Sequence, residues 1–239
     1  MEQQLWIIPA LPLAGFLVNG LLGRRLPKAA VTAVAITSVA LSFLWVLKTV
    51  TGLMPLDAAY VERYFDWIRV GSLRIGCDLM MDRLTAVMVL VVTGVGLLIH
   101  IYAAGYMAHD TGYARFFAYL NLFMFFMLTL VLAANYLLMF VGWEGVGLCS
   151  YLLIGFWFLR KSATNAGNKA FIVNRVGDFG FSLAIFLLVI NFNTLDFGEV
   201  FAKLSGWPVE NTVGTLTLVG LLLLLGATGK SAQVPLYVW

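Results

Sequence analysis

The chain has 239 residues, of which 62% are hydrophobic and only 11% charged, with a mean hydropathy of +0.93. Soluble globular chains carry roughly 45–50% apolar and about 25% charged residues, so this composition excludes a soluble domain and reads as an all-α, polytopic transmembrane helix bundle. The net charge of +3 comes with no basic tail or run of lysine and arginine, which speaks against nucleic acid as a partner.

A helix needs about 20 apolar residues to cross a bilayer, and about seven segments qualify. The first is Leu5–Gly23. Glu2 stands where the basic start of a secretory signal belongs, and Pro9 and Pro12 interrupt the apolar run, so this segment reads as a retained helix. The second runs from Ala29 to Val50. The loop 52–83 follows, and within it "WIRVGSLRIG" alternates apolar and polar residues on both sides of Gly71-Ser72. Glycine first in a two-residue turn suits a type II′ β-hairpin, with an irregular surface loop as the competing reading. The third segment, Leu84–Met107, has His100 and His109 toward one end, where both read as packing or interfacial residues. The fourth, Phe116–Ala134, is nearly all Phe, Leu and Met. The fifth is Asn135–Leu159 and the sixth Ala166–Ile190. The seventh starts near Val213 and has no clear end before Trp239. Cys77 and Cys149 fall in a loop and in mid-helix, a placement that fits neither a disulfide nor a metal site.

Loop charges suggest orientation. "GRRLPKAA" follows the first helix and "LRKSATNAGNKA" the fifth, which puts both on one side if every segment spans once. Short loops rich in lysine and arginine stay cytoplasmic, so the N-terminus is expected outside, with the 52–83 loop on the outer face.

Four charges inside these segments carry the chemistry. A charge at the bilayer centre costs at least ~2.5–3.5 kcal/mol on insertion scales, so each should face protein or trapped water. Glu144 lies nine residues into the fifth helix, roughly 13 Å deep. Arg175 and Asp178 are three apart in the sixth, on one face, where they can pair. Lys230 follows "LTLVGLLLLLGATG" in the seventh, with polar Ser231 and Gln233 beside it as a possible water-holding path and Lys169 as a possible entry guard. Gly229 and Pro235 flank this stretch. Proline removes a backbone donor and clashes with the carbonyl four residues earlier, here that of Ser231, which predicts a broken or π-bulged helix beside Lys230. A lysine taken out of bulk water gives up its proton more readily, and a carboxylate nearby opposes that release. A Lys–Glu pair that closes and opens therefore loads and unloads a proton, and Glu144 with Lys230 is the candidate pair. The plainer reading is that these charges only lock helices together, and that Trp143, beside Glu144, only packs. "GATGKSA" lacks phosphate-loop spacing, and no dinucleotide or metal motif is present.

At these residues the chain resembles a known family. "NYLLMFVGWEGVGLCSYLLIGFW", "NKAFIVNRVGDFGF" and "GATGKSAQVPLYVW" are similar to segments of the antiporter-like subunits of bacterial respiratory complex I, the L-type subunits above all. "IPALPLAGFLVNGLLGRR" and "DLMMDRLTAVMV" fit the same family, so the resemblance covers essentially the whole chain. It implies that Glu144 and Lys230 form a proton-translocating pair modulated by Arg175 and Asp178. It implies that NADH, FMN, iron–sulfur clusters and quinone are held by partner subunits and that this chain has no cofactor of its own. A neighbouring antiporter-like subunit and the lipid of the bacterial inner membrane are the implied surroundings. The resemblance divides the chain into leading helices at 1–111 and part of a first antiporter-like repeat at 112–239. Family members are more than twice as long, with a second repeat and a lateral helix, so this reads as a fragment or an incomplete gene model. An Mrp-type cation/proton antiporter subunit and a membrane-bound hydrogenase subunit share the same Glu and Lys pattern and are the alternatives.

Overall fold

The structure is a computed structural model that describes residues 3–208, 210 and 212–239. Eight helices and one hairpin are found among them, in the order α1 (Ile7–Leu22), α2 (Lys28–Leu53), β1 (Tyr60–Val70), β2 (Leu73–Met81), α3 (Arg83–Tyr106), α4 (Tyr113–Leu132), α5 (Tyr136–Ile154), α6 (Lys161–Phe192), α7 (Phe197–Leu204) and α8 (Thr215–Lys230). Five of them, α2 to α6, are long and apolar enough to cross a membrane, and α1 and α8 are shorter apolar helices of 16 residues. The chain is a multi-pass membrane protein.

The first helix shows how a proline is tolerated inside a span. Pro12 has no amide to give the carbonyl four residues back, that of Ile8. The Ser42 hydroxyl of α2 donates to the Ile8 oxygen instead, at 2.7 Å. The lost intrahelical bond thus becomes a link between helices. In lipid, every backbone group needs such a partner.

The hairpin is longer than the predicted stretch. It pairs Tyr60 with Met81 at its base and Val70 with Leu73 at its tip, antiparallel, and Gly71 takes the positive φ (58°) that a two-residue hairpin turn requires. The hairpin is bonded to the residues that link α4 to α5. Ala134 N donates to Asp78 O and Asn135 Nδ2 to Gly76 O, while Tyr136 N donates to Leu195 O in the link between α6 and α7. Asn135 also accepts from Leu138 N and so caps α5. The hairpin base therefore fixes where α5 begins, and with it the depth of Glu144.

Helix α4 is central, packing against α1, α2, α3 and α5; α5 packs on α6, and α6 on α8. One apolar core lies between α1–α4 and the hairpin base, and a second between the hairpin tip and α5–α8.

Two boundaries differ from the sequence expectation. A short amphipathic helix, α7, is present between the sixth and seventh predicted segments, its N-terminus capped by Asp196, which accepts from Glu199 N. The seventh segment, which has no clear end before Trp239 in the sequence, is broken beside Lys230 as expected, and it stops there rather than bulging: α8 ends at Lys230. Ala232 takes a left-handed φ of 49°, and Gln233 N reaches back to Thr228 O, which is the hydrogen-bond pattern of a Schellman termination. From Ser231 to Trp239 the chain is not helical. Pro235 could not continue a helix there, because it has no N–H to give Ser231 O and its ring would clash with that carbonyl.

Candidate proton-translocation site

Three helices bring their charges to one level. Glu144 is the ninth of 19 residues in α5, and Arg175 and Asp178 stand near the middle of the 32-residue α6. Lys230 is the last residue of α8. Glycines set the spacing between α6 and α8. A Cβ added at Gly177 would lie 3.1 Å from Leu225 O, and one at Gly180 would lie 3.1 Å from Leu222 O. The backbone of α8 thus rests directly on α6, the small-residue packing on which membrane helices rely. That close approach delivers Lys230 to the level of Asp178.

The side chains then sort into two bonded pairs and one unpaired cation. Arg175 Nη1 donates to Glu144 Oε2 across α5 and α6. Its guanidinium also stands over the Phe171 ring, 4.9 Å from the centroid. Asp178 is only 4% exposed, and its Oδ1 accepts from Trp143 Nε1 at 2.7 Å. Lys230 Nζ sits 5.7 Å from the centre of the Trp143 ring and in the space left by Gly147, where a Cβ would be 2.7 Å away. Asp178 and Glu144 both act electrostatically on this ammonium. Lys230 Nζ and Glu144 Oε1 are each buried and without a hydrogen-bond partner among the described residues.

This corrects the predicted pairing of Arg175 with Asp178. Residues three apart on a helix differ by 60° in direction. Asp178 points at α5 and is buried, whereas Arg175 is half exposed and reaches Glu144. Glu144 and Lys230 share the cluster but make no salt bridge. Ser231 and Gln233 are exposed; the Ser231 hydroxyl returns to Ala227 O at 2.7 Å, so neither extends the cluster. Lys169 is exposed on α6, six residues before Arg175. Gly229 packs against Gly177, its carbonyl accepts from Trp239 Nε1, and Pro235 lies in the tail beyond α8.

Sequence reasoning missed three members. Trp143 packs on Phe181, as expected of a packing residue, but it also holds Asp178 and underlies Lys230. Gly147 provides the room for the ammonium. Both are readable in principle, because Trp143 and Gly147 are four apart and so share one face of α5. Asn174, one turn before Asp178, is buried with Oδ1 unpartnered. His100 is buried too, its Nδ1 2.7 Å from Gly96 O, while His109 is exposed. Both cysteines are free thiols.

Two acids, an arginine and a lysine gathered from three helices of an apolar bundle place the chain in the class of multi-pass membrane proteins whose spans enclose ionisable residues. The comparisons narrow it. Residues 67–117 match the family described as NADH-Ubiquinone oxidoreductase (complex I), chain 5 N-terminus, and residues 133–239 match NADH:quinone oxidoreductase/Mrp antiporter, TM. The chain is 46% identical over 242 residues to NADH-quinone oxidoreductase subunit L of Mycobacterium tuberculosis, covering 98% of this chain and 37% of the relative. It is 45% identical over 252 residues to subunit L of Neisseria meningitidis, covering 100% of this chain and 37% of that one. Chloroplastic NAD(P)H-quinone oxidoreductase subunit 5 of Zygnema circumcarinatum is 43% identical over 247 residues, with 100% and 35% covered. The chain belongs to the antiporter-like subunit family of NADH:quinone oxidoreductases, with the L-type subunits among its relatives. It spans 37% of the length of those subunits. The fold is shared with a chain of the Mrp complex from Dietzia sp., at TM-score 0.80 and 22% identity, covering 98% of this chain and 24% of that one. It is also shared with a chain of the archaeal membrane-bound sulfane sulfur reductase, at TM-score 0.78 and 21% identity, covering 100% and 35%.

Proposed function

We propose that this chain supplies a proton-carrying segment to the membrane arm of an NADH:quinone oxidoreductase, with Lys230 as the carrier and Glu144 as the group that controls it. The observation that carries this reading is the arrangement around Lys230 Nζ. The ammonium is buried, without a hydrogen-bond partner among the described residues, and placed in the fields of Asp178 and Glu144, which attract it, and of Arg175, which repels it. Such a group holds or loses a proton according to the charges around it. Arg175 sets those charges. Bonded to Glu144, it neutralises that carboxylate; drawn off, it leaves Glu144 free to hold a protonated Lys230. Asp178, fixed by Trp143, supplies a constant field. Half exposed on α6, Arg175 is the member placed to respond to a neighbouring subunit.

The NADH, FMN, iron–sulfur clusters and quinone of the reaction belong to other subunits under this reading, and an adjacent antiporter-like subunit completes the proton path. The membrane is the bacterial inner membrane. The basic residues Arg24, Arg25, Lys28, Arg115, Arg160 and Lys161 mark the cytoplasmic face, with the hairpin and the N-terminus opposite.

The test is made in the full-length protein within its complex. Glu144→Gln and Lys230→Ala should assemble, keep the complex's flavin and iron–sulfur signals, and lose most of the proton pumping. Wild-type pumping in assembled variants would end the carrier role. The likeness to a chain of the Mrp complex favours a second reading, cation/proton exchange without redox chemistry. Purification from native membranes separates the two: co-eluting NADH:quinone reductase activity supports the first reading, and sodium/proton exchange by an intact complex without flavin supports the second.

A further inference from the structure

The loop ends opposite the hairpin hold two adjoining cavities that the proton cluster does not use. One, of about 490 Å³, lies among Arg24, Lys28 and Arg115 and the turn Thr111–Ala114. The other, of about 380 Å³, is an apolar groove between α1 and α4, walled by Phe16, Leu17, Leu21 and Tyr119. They share Arg24, Ala114 and Arg115, so the groove runs into the polar cavity. Gly20 and Ala118 make up part of its lining. Gly20 is exposed on the groove floor, and a Cβ added there would make only ordinary contact, with Phe16 at 3.7 Å and Ala118 at 4.0 Å, so a side chain can be built into the groove from it without a clash.

The polar cavity is built for an anion. Two helices begin at it, α2 at Lys28 and α4 at Tyr113, and neither N-terminus is capped by a side chain. Free N–H groups and the positive ends of both helix dipoles therefore converge on the space where the cations stand. Among the described residues, Arg24, Lys28 and Arg115 take part in no salt bridge. Asp110 stands beside them: it accepts from Gly112 N at 2.6 Å and Trp157 Nε1 at 2.9 Å and lies in the fields of Arg115 and Lys28, but forms no salt bridge with either, so it offsets only part of their charge. Lys28 Nζ donates to Ala108 O and stands 5.4 Å from the Tyr113 ring centre, and Arg115 donates to Phe156 O with its guanidinium 4.6 Å from the Phe156 ring and 4.8 Å from that of Phe158; both keep further N–H donors beyond these contacts.

We propose that these cavities form one binding site for an anionic phospholipid, with its phosphate among Arg24, Lys28 and Arg115 and an acyl chain in the α1/α4 groove. A phosphate alone would use the polar cavity and leave the groove unexplained. A zwitterionic lipid would fill the groove but bring no net charge to three cations and two helix N-termini. The cavity lies at a membrane interface on the more basic face of the protein, where anionic headgroups are attracted by about 1 kcal/mol per lysine or arginine.

The experiment uses the intact complex in nanodiscs, with photoactivatable phosphatidylglycerol or phosphatidylcholine carrying a diazirine in one acyl chain, and mass spectrometry to map labelled peptides. Phosphatidylglycerol should label the α1 and α4 peptides at least fivefold more than phosphatidylcholine. Arg24→Gln with Arg115→Gln should weaken that labelling by about 30-fold. Gly20→Trp, which fills the groove from its exposed floor and keeps every charge, should abolish labelling there while leaving it elsewhere on the protein. Inorganic phosphate at millimolar concentration should not compete. Equal labelling by both lipids would make the groove ordinary lipid contact and overturn the proposal. So would full competition by phosphate, which would reduce the site to an anion cavity, or an absence of labelling from either lipid, which would show that a protein neighbour covers the face.

Discussion

Replacing Gly147 by alanine separates the stability of α5 from the position of the carrier. The new methyl would stand 2.7 Å from Lys230 Nζ. Ordinary contact is about 3.5–4.0 Å, so the ammonium must retreat by roughly an ångström. The atom that gives way is the far end of a flexible side chain, so the backbone need not move. Alanine is also the better helix former, by about 0.8–1.0 kcal/mol in a helix interior. The variant should therefore fold and assemble at least as well as the parent. Its ammonium, however, is pushed from its place over Trp143, where cation–π attraction contributes about 0.5–2 kcal/mol. That corresponds to roughly a 2- to 30-fold change in how often the carrier is correctly seated. Proton pumping by the reconstituted complex, normalised to quinone reduction, should fall within that range while the melting temperature stays level or rises. Unchanged pumping with a retained fold would refute the claim that the seat of Lys230 matters. A lowered melting temperature would refute the claim that only the side-chain tip is crowded.

Two further changes test the neighbours. Trp143→Phe keeps the ring against Phe181 but removes the bond to Asp178, a hydrogen bond to a charged group worth about 1.5–3 kcal/mol, and should slow pumping tenfold or more in assembled complex; a pumping rate like the parent's would return Trp143 to a packing role. Glu62 on the hairpin accepts from Gln4 N at 2.8 Å, Leu5 N at 2.7 Å, Tyr60 at 2.8 Å and Tyr64, tying the hairpin to the start of α1. Burial alone would raise its carboxyl, but these bonds, that of Tyr64 foremost, bring it below the ordinary 4.5. A depressed acid stabilises fully above its unfolded value and loses that contribution as pH falls through the folded one. Hydrogen exchange at Gln4 and Leu5 should therefore accelerate as pH drops below about 4.5, after correction for intrinsic rates, and Glu62→Gln should remove that acid dependence; a pH-independent tether in the parent would refute the account.

The spans were legible because lipid demands a simple pattern, a long apolar run broken by turn residues. Glycine at 71 showed the hairpin turn for an equally local reason, since one residue there must take a positive φ. The extent of the hairpin was not legible. Its register is fixed by bonds from Ala134 and Asn135, more than 50 residues further along the chain. Helix α7 has only eight residues, too few for apolar periodicity to stand out, although Asp196 and Glu199 carry the spacing of a helix start. The break beside Lys230 was legible from Gly229 and Pro235, but proline signals a break without saying whether the helix bulges or stops, and the left-handed turn at Ala232 decides for a stop.

The four charges of the site were found because a charge in an apolar helix has to be explained, and their partners were harder to assign. Spacing along a helix links Arg175 to Asp178, and nothing local contradicts that. Partners in a bundle are chosen by direction and depth across helices. Gly177 and Gly180 let α8 sink onto α6 and crowd the face that Asp178 shares. Asp178 is then enclosed with the Trp143 indole, a neutral donor, while Arg175 stays at the rim, where its long side chain reaches Glu144. The same glycines that bring Lys230 into range of both acids leave it no direct bond to either. A buried cation fully bonded to one acid would be a structural lock. One held close to two acids and tied to neither meets what the proposed carrier role requires.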